Sequence, residues 1–432
     1  MGKDPEKQLK KAEQLYKAMQ YKRAAKSYNT VGNIFLKLGN YEIAKECFFN
    51  AAKSAIHEDK YLRGLEFLRN AGNASLLNNN FSEAYQFFKE SLNYIPSLRN
   101  SSDINQLFVV FSSLSYLCLF VEGKQEEGLN IVKKIRSFVD DSYFKESALI
   151  KLVKDLTVAT KDKKEKYIKK IEKDFENSKF YEGEINLAKS ALVIAKTIVS
   201  LIVKLTLDKK IYTTNDVINL TMNIDTKPLL DITENSFYNY NLKELKIMKI
   251  GIQLTDNFTF HKKPELPITI TPGQTCQINL LIKPHFQMEN PTIGPILLTS
   301  ELNGNLKFFY EYSELLYPTL ISPPPTLDIS IKNLRPPLIG KSFPLEILIE
   351  NKSKGEALDL NIEIDFPENL KVMRGTLKKQ IYSLRTNENM KWEISLKPIE
   401  AGDYSIKIKT TFKDPDQNQI GEIKEFSLKV LL

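Results

Sequence analysis

The chain has 432 residues, 42% of them hydrophobic, which is enough for roughly two to four domains that each contain a core. Only three histidines, three cysteines and one tryptophan are present, so the composition disfavours most metal-dependent and nucleophilic enzymes. The net charge of +8 is concentrated in residues 1–210, which carry 36 Lys and Arg against 26 Asp and Glu. Such a region attracts nucleic acid, an anionic membrane or an acidic protein, and charge alone does not choose among them.

The cysteines and the start of the chain bear on where the protein resides. Cys47, Cys118 and Cys276 are odd in number and scattered, without a Cys-x-x-Cys pair, which disfavours disulfides and structural zinc. The start, Met1–Glu6, is polar, and we expect neither a secretory signal peptide nor a myristoyl anchor. These features predict a cytoplasmic protein, with peripheral membrane contact as a further option.

A 20-residue repeat runs through the first quarter of the chain. Each unit has an aromatic residue, a small residue three positions later and a further apolar residue four positions after that. These offsets fall on one face of a helix, and the small residue allows a neighbouring helix to approach closely. Pairs of such helices give a 40-residue repeat, which is typical of tetratricopeptide-like α-solenoids. The aromatic residues are Tyr21, Tyr41, Tyr61 and Phe81, and the small residues are Ala24, Ala44, Gly64 and Ala84.

Helical periodicity continues beyond this repeat. The apolar run Ile185–Leu207 is long enough to suggest a membrane span, but Lys189, Lys196 and Lys204 interrupt it. We interpret the run as the last packed helix of a bundle and predict no transmembrane segment. The further helices are predicted over residues 103–120, 125–139, 141–160, 163–178 and 181–205.

Two helical elements carry a resemblance to a known family. Val31-Gly32-Asn33-Ile34-Phe35 and Ala71-Gly72-Asn73-Ala74-Ser75, which stand 40 residues apart, resemble an element of the soluble NSF attachment proteins. Leu38-Gly39-Asn40-Tyr41-Glu42-Ile43-Ala44 is similar to the turns of that family and of tetratricopeptide repeats. The resemblance covers residues 5–95 by motif and 96–205 by pattern. It implies an α-solenoid whose basic face docks helical membrane-fusion bundles. The short turn at Gln20-Tyr21 and the final strand depart from that family, so recruitment of a fusion ATPase is not expected.

After about residue 210 the hydrophobic period changes from 3.6 to 2, which predicts strands. Leu242–Leu254, Ile268–Ile282 and Ile296–Tyr312 show this pattern. Leu302-Asn303-Gly304-Asn305 is typical of a two-residue hairpin turn. This half of the chain is therefore predicted to be all β.

A proline-rich connector divides the predicted β half. Pro318 and the prolines at 323–325 restrict the backbone, and alternating strands resume around Leu345–Ile349 and Met390–Leu396. Both β regions resemble immunoglobulin-like sandwiches, such as those found as ears on vesicle-coat adaptors, in tethering complexes and in adhesion modules. The predicted fold class is a tetratricopeptide-like α-solenoid over residues 1–208, followed by immunoglobulin-like β-sandwiches over residues 209–318 and 326–432.

The sequence predicts no catalytic, cofactor-binding or metal-binding site. His57, His261 and His285 are far apart and lack the context of a zinc or hydrolase motif, so we expect surface or loop histidines. Glycine-rich phosphate loops are also lacking from the sequence. We therefore predict a protein that is not an enzyme and requires no cofactor.

The most unusual stretch is residues 161–173, where Ile168 and Ile171 mark a buried stripe that lysines surround. The simpler interpretation is a solvated helix face with a few internal ion pairs. The functional interpretation is a docking surface for an acidic partner or an anionic membrane. Aromatic residues that would stack on bases are nearly absent, which disfavours nucleic acid. The candidate docking residues are Lys164, Lys169, Lys170 and Lys173.

Two functional hypotheses remain open at this point. The first is a protein-interaction scaffold or adaptor, in membrane trafficking, vesicle tethering or complex assembly, whose partners are acidic or helical proteins. The alternative is a prokaryotic structural or surface-associated protein with adhesion-type sandwiches. A hydrolase with a hidden site is the least favoured option. The solenoid groove is suited to a helix, and a sandwich edge is suited to an added peptide strand.

Overall fold

The structure is a computed structural model that describes residues 4–98, 103–138, 147–175 and 180–432. Helices occupy the first half of the chain and antiparallel sheets dominate the second half, which confirms the predicted order of an α region followed by β domains. The predicted helices over residues 125–139, 141–160 and 163–178 each extend partly outside the described residues. The helices of the first half are α1 (Pro5–Lys17), α2 (Tyr21–Lys37), α3 (Tyr41–Ile56), α4 (Tyr61–Leu77), α5 (Phe81–Tyr94), α6 (Ile104–Val121), α7 (Gln125–Phe138), α8 (Ala148–Asp162), α9 (Glu165–Phe175) and α10 (Glu182–Ser200).

The 20-residue repeat sets where helices α2 to α5 begin. Each of the four repeated aromatic residues is the first residue of its helix. Asn40 and Asn80 cap two of these helices, because their side chains accept hydrogen bonds from the N–H groups of Ile43 and Glu83 at 3.3 and 3.2 Å. Gly39 adopts a φ of 73° in the turn before α3, a conformation that favours glycine.

The helix pairs of the repeat share one close contact. A Cβ atom added at Gly32 of α2 would lie 2.9 Å from Cε1 of Phe48 on α3. A Cβ atom added at Gly72 of α4 would lie 2.7 Å from Cζ of Phe88 on α5, and closer still to Cε1. Both phenylalanines are almost fully buried. Glycine is therefore needed twice, 40 residues apart, so that an aromatic ring can pack against the helix backbone.

The substitution Gly72→Ala tests this contact. Alanine raises intrinsic helix propensity by about 1 kcal/mol, but the buried ring of Phe88 has no space to move away. We expect a net loss of about 2 kcal/mol in the free energy of unfolding, measured by denaturant titration. Gly251→Ala is the matched control, since its new Cβ would have its nearest neighbour at 3.7 Å. Equal stability of Gly72→Ala and wild type would contradict the proposed packing.

The prediction of one helix through Ile185–Leu207 is wrong at its end. Helix α10 stops at Ser200, Leu201 has an extended backbone with ψ of 124°, and strand β1 follows over Ile202–Leu207. Within β1 the side chains of Val203 and Leu205 are buried, and those of the alternating Ile202, Lys204 and Thr206 are exposed. The hydrophobic period therefore changes from 3.6 to 2 within this run, before the predicted position near residue 210, while the composition remains apolar.

The first β region contains two four-stranded antiparallel sheets. Their strand orders are β1-β3-β7-β5 and β6-β4-β8-β9. The predicted hairpin joins β8 to β9: Asn303 and Gly304 have φ of 47° and 74°, and the N–H of Asn305 donates to the carbonyl of Leu302. A short helix, α11 (Leu230–Glu234), follows β3. The strands are β1, β2 (Ile211–Thr213), β3 (Ile218–Asp225), β4 (Leu245–Leu254), β5 (Phe258–Lys262), β6 (Ile268–Ile270), β7 (Thr275–Pro284), β8 (Ile293–Leu302), β9 (Leu306–Tyr312) and β10 (Thr319–Ile321).

The second β region repeats this topology. Its sheet orders are β11-β12-β16-β14 and β15-β13-β17-β18. If β2 and β10, which pair only with each other in the described chain, are set aside, the two regions have the same strand order in both sheets. The chain therefore contains the same sandwich twice. The strands are β11 (Leu327–Asn333), β12 (Phe343–Asn351), β13 (Ala357–Asp365), β14 (Leu370–Arg374), β15 (Lys378–Leu384), β16 (Asn389–Pro398), β17 (Gly402–Lys413) and β18 (Gln419–Val430).

Buried hydrophobic residues form two large clusters. One cluster runs from the helices into the first sandwich and ends at Leu320, and the other lies wholly within Leu327–Val430. The connector between the two clusters is held in place at two points. Strand β10 pairs in parallel with β2, and Pro323 contacts Gly355 of the second sandwich. The predicted domain limits, 1–208, 209–318 and 326–432, stay predictions.

Candidate interaction surfaces

Helix α9, together with Lys164 just before it, carries the lysines that the sequence singled out. Ile168 and Ile171 are buried, as predicted, and pack the helix onto the helical core. The side chains that surround this stripe are exposed and cationic. We call them the lysine surface, which consists of Lys164, Lys166, Lys169, Lys170 and Lys173.

The members of the lysine surface differ in what they contact. Lys164 and Lys169 form loose ion pairs with Asp162 and Glu165, at 3.5 and 3.8 Å, and their side chains are 55% and 70% exposed. Exposed pairs of this kind contribute little to stability and exchange readily with solvent. These two lysines are therefore available to an external partner at small cost.

Lys170 has a structural partner. Its ammonium lies 2.7 Å from the carboxylate of Asp155 on α8, whose side chain is only 7% exposed. The hydrogen bond to Asp155 raises the pKa of Lys170. Replacing Lys170 would leave a buried carboxylate without its cation, so Lys170 supports the fold as well as the surface charge.

Two of the three carboxylates of α9, those of Glu165 and Glu172, contact residues outside the helix. Glu165 accepts a hydrogen bond from the ammonium of Lys196 on α10 at 2.9 Å. Glu172 accepts a hydrogen bond from the hydroxyl of Tyr238, which belongs to the first β region. Both of these acids thereby link α9 to the rest of the protein, and Glu165, which is about half exposed, also lies 3.8 Å from Lys169. The helix separates its charges, with these acids toward the protein and lysines toward solvent.

Lys196 lies at the junction between the helices and the first sandwich. Its side chain is only 8% exposed, and it forms ion pairs at 2.9 Å with both Glu165 and Asp231 of α11. Burial lowers the pKa of Lys196, but the hydrogen bonds to the two carboxylates more than offset this effect and raise the pKa overall. The hydrogen bond from Lys196 lowers the pKa of Glu165.

A second group of contacts closes the same junction. Lys163, at the C-terminus of α8, lies over the ring of Tyr310 at 3.7 Å and donates to the carbonyl of Glu311 at 2.6 Å. The hydroxyl of Tyr310 in turn donates to the carbonyl of Leu201 at 3.2 Å. Together with the shared hydrophobic cluster, these contacts hold α8, α9 and α10 against β9 and α11.

The junction can be tested by two opposite changes. The double variant Glu165→Gln with Asp231→Asn leaves the buried ammonium of Lys196 without a counterion, and we expect a loss of about 3 kcal/mol in the free energy of unfolding. Lys196→Met leaves two carboxylates that are about half exposed, and we expect a smaller loss of about 1 kcal/mol. Thermal and denaturant unfolding measure both losses. A larger loss for Lys196→Met than for the double variant would contradict the role given to these ion pairs.

The same variants predict a pH dependence. Because the folded pKa of Glu165 lies below its ordinary value of 4.5, its pairing stabilises the fold above that value. This contribution is lost as the pH falls through the folded pKa. Lys196→Met should therefore lose less stability than wild type between neutral and acidic pH. Parallel acid profiles would show that the pair does not contribute.

The histidines and cysteines do not form a site in the described residues. His57, His261 and His285 are all exposed, as predicted, and His57 stacks on Tyr21 with ring centroids 4.7 Å apart. All three cysteines are free thiols. Across the described ranges, His, Cys, Asp and Glu side chains do not come together in groups of three or more that could hold a metal ion.

Sequence reasoning missed a groove of about 490 Å³ at one end of the helical stack. The turn between α3 and α4 forms much of its wall, and Leu98 lies at its edge, next to the undescribed residues 99–102. Three cations and two carboxylates line it, so its charge does not select a ligand. Its position depends on how the start of α2, the turn between α3 and α4 and the segment after α5 come together, which no local motif encodes. The lining residues are Lys22, Ala25, Ala55, Glu58, Asp59, Lys60, Tyr61, Leu62, Arg63, Ser97 and Leu98.

The segment that the sequence suggested as a possible membrane span, Ile185–Leu207, is not the one whose length and composition fit a span. In the described part of the chain, the helix long and apolar enough to cross a membrane is α6, with a mean hydropathy of 1.8. Two thirds of it, 67%, is buried inside the protein, and a packed core helix passes the same test of length and composition.

The comparisons with known proteins leave the family open. The chain matches neither a protein-family model nor a curated protein. Among solved structures, it is similar over 24% of its length to 97% of a cohesin module from a Clostridium perfringens family 33 glycoside hydrolase, at 13% identity and a TM-score of 0.19. It is also similar over 53% of its length to 31% of red sea bream transglutaminase, at 6% identity and a TM-score of 0.20. Likenesses this slight carry no argument about fold or activity.

Proposed function

We propose that this protein is a non-enzymatic scaffold that binds a protein partner through the lysine surface of α9. The observation that carries the proposal is the separation of charge on that helix. Residues 147–175 contain nine lysines and five carboxylates, and three of the carboxylates are committed to Lys170, Lys196 and Tyr238. Asp155 and Lys170 neutralise each other within the segment, whereas Lys196 supplies the cation beside Glu165 from outside it, so the segment keeps an excess of positive charge toward solvent.

The junction supports this proposal. A docking surface is most effective when its side chains are held on a rigid base, because less conformational entropy is lost on binding. Helix α9 is fixed by Glu165 and Glu172 to α10 and the first β region. An acidic partner would thus meet cations already positioned by the fold. An acidic protein surface fits this arrangement, and an anionic membrane is the competing partner that the experiment below separates.

The finer architecture forms part of the proposal. We propose that the helical half is a tetratricopeptide-like solenoid, similar to the soluble NSF attachment proteins, and that the two sandwiches are immunoglobulin-like. The repeated Gly32–Phe48 and Gly72–Phe88 contacts support a 40-residue structural repeat. The shared strand order of the two sandwiches supports a tandem module. A role in membrane trafficking, tethering or complex assembly is consistent with such an arrangement.

Charge reversal tests the docking surface. The variant Lys164→Glu, Lys169→Glu, Lys173→Glu leaves the structural Lys170 in place, and exposed substitutions usually change stability by no more than about 0.5 kcal/mol each. We expect this variant to lose the partners that wild type captures from native lysate under mild crosslinking. The loss should be mimicked by raising the salt concentration, since the Debye length falls to about 8 Å at physiological ionic strength.

A matched control separates a specific surface from general charge. Lys10, Lys11 and Lys17 are exposed on α1, and their reversal to Glu changes the net charge by the same amount. Circular dichroism verifies folding of both variants. Equal retention of the captured proteins by the two variants and wild type would contradict the proposal. Retention on anionic vesicles that only the α9 variant loses would indicate lipid as the partner, and partners found only in envelope fractions would favour the surface-protein alternative.

A further inference from the structure

The second sandwich contains a basic segment inside an otherwise slightly acidic half of the chain. Residues 211–432 carry 25 Lys and Arg against 27 Asp and Glu, yet residues 370–385 carry five cations and no carboxylate. This segment covers strands β14 and β15 and the turn between them. The cations are Lys371, Arg374, Lys378, Lys379 and Arg385.

The same segment exposes apolar side chains. Tyr382 is 85% exposed and Met373 is 55% exposed, and Val372 and Leu377 are more than a third exposed. Scattered single apolar residues on a surface need no explanation, but here four lie within eleven consecutive residues. Tyrosine, methionine and arginine, which this segment exposes, are enriched at protein interfaces.

Strands β14 and β15 are the edge strands on one flank of this sandwich. In the described structure β14 pairs only with β16, and β15 pairs only with β13. Each strand therefore has N–H and C=O groups on its outer side that the sheet does not use, and such an edge is a template for an added strand.

The other flank is at least partly closed. The ammonium of Lys424 on β18 donates to the carbonyl of Leu327 on β11 at 2.8 Å. Leu338 forms a parallel bridge to Leu431, just beyond the end of β18. The first contact joins the edge strands β18 and β11, and the second places the loop between β11 and β12 beside the end of β18.

Of the two strands on the open flank, β15 is the better acceptor. Strand β14 has five residues and a bulge between Val372 and Arg374, and a bulge twists an edge away from a new strand. Strand β15 has seven residues. In the first sandwich the strand at the same topological position, β6, has only three residues. The long edge strand is therefore particular to the second sandwich and is not required by the topology that the two sandwiches share.

The side chains of β15 define what would bind. Lys378, Gln380 and Tyr382 lie on its exposed face, and Lys379 and Ile381 lie on the half-buried face. A strand added beside β15 places alternate side chains next to these residues. A carboxylate of the added strand would lie beside Lys378. This lysine now pairs with Glu363, and the side chains are 75% and 49% exposed, respectively. An apolar or aromatic side chain of the added strand would lie beside Tyr382. These two positions are four residues apart on an extended chain.

We propose that the free edge of β15 binds an extended acidic peptide by strand addition, with a carboxylate beside Lys378 and an apolar or aromatic side chain beside Tyr382. Backbone hydrogen bonds supply affinity, and the two side-chain positions supply specificity. A membrane is the less suitable partner, because Tyr382 lies within a strand and not at a loop tip that could enter a bilayer. This site is separate from the lysine surface, so it holds or fails independently of that proposal.

Selection from random linear peptides displayed on phage, with the full chain as bait, tests the proposal. We expect enriched peptides to carry an acidic residue and an apolar or aromatic residue four positions apart. A labelled synthetic copy of the most enriched peptide is then titrated by fluorescence anisotropy. Tyr382→Ser and Lys378→Glu should each weaken its binding by about tenfold or more, as the loss of an interface anchor does. A proline between the two anchor positions of the peptide, at a residue whose N–H would otherwise donate to β15, should abolish binding.

The control is Ile423→Ser, which removes a 62% exposed apolar side chain from β18, the edge strand of the opposite flank. It should bind the peptide as wild type does. Circular dichroism and thermal melts establish that all three variants are folded. No enrichment, or equal binding by wild type and both β15 variants, would overturn the proposal. Retention of wild type on phosphatidylserine-containing vesicles that Tyr382→Ser abolishes, without peptide binding, would assign the segment to lipid and also overturn it.

Discussion

The need to neutralise the buried ammonium of Lys196 constrains how the helices and the first sandwich fit together. A lysine this deeply buried is costly unless carboxylates accompany it, and here one carboxylate comes from α9 and the other from α11. The requirement to neutralise one charge therefore fixes a helix of the first half against a segment of the first sandwich. It also engages Glu165, while the lysines of α9 stay exposed.

The two sandwiches show how one topology is used in two ways. In the first copy, the flank formed by β1 and β9 lies against the helices, through the hydrogen bond from Tyr310 to Leu201 and a bridge between Glu122 and Lys307. In the second copy, the edge strand β15 of the open flank has seven residues where its counterpart β6 has three, and it carries Lys378 and Lys379. The first sandwich thus supports the helical stack, and the second offers a free edge at the far end of the chain.

Local regularities of the sequence predicted much of this structure. The aromatic residues spaced 20 apart give the first residues of α2 to α5, because a helix and its turn repeat at that length. The Asn303-Gly304 turn was predictable because both residues tolerate positive φ. The end of α10 was missed since Val203 and Leu205 continue an apolar run, although their alternation with Lys204 and Thr206 was a usable signal.

The contacts that give the candidate site its character join residues distant in sequence. The pairing of Lys170 with Asp155 depends on how α8 packs on α9, and that of Lys196 with Asp231 on where a loop of the first sandwich docks. Neither pair has a local motif. The sequence therefore identified Lys164, Lys169, Lys170 and Lys173 as a group but did not distinguish the structural Lys170 from the others. The basic run in β14 and β15 was visible in the sequence, but only the strand order shows that it lies at an edge.

The central claim is that the helices and the first sandwich form one cooperative unit, distinct from the second sandwich. Native-state hydrogen exchange followed at increasing denaturant measures this directly, since amides that open together share one free energy and one denaturant dependence. The account predicts that the slowest amides of α10 merge with those of β8 and β9, while those of β12 and β16 merge at a separate value. Amides of α10 that open fully while β8 and β9 stay protected would contradict it.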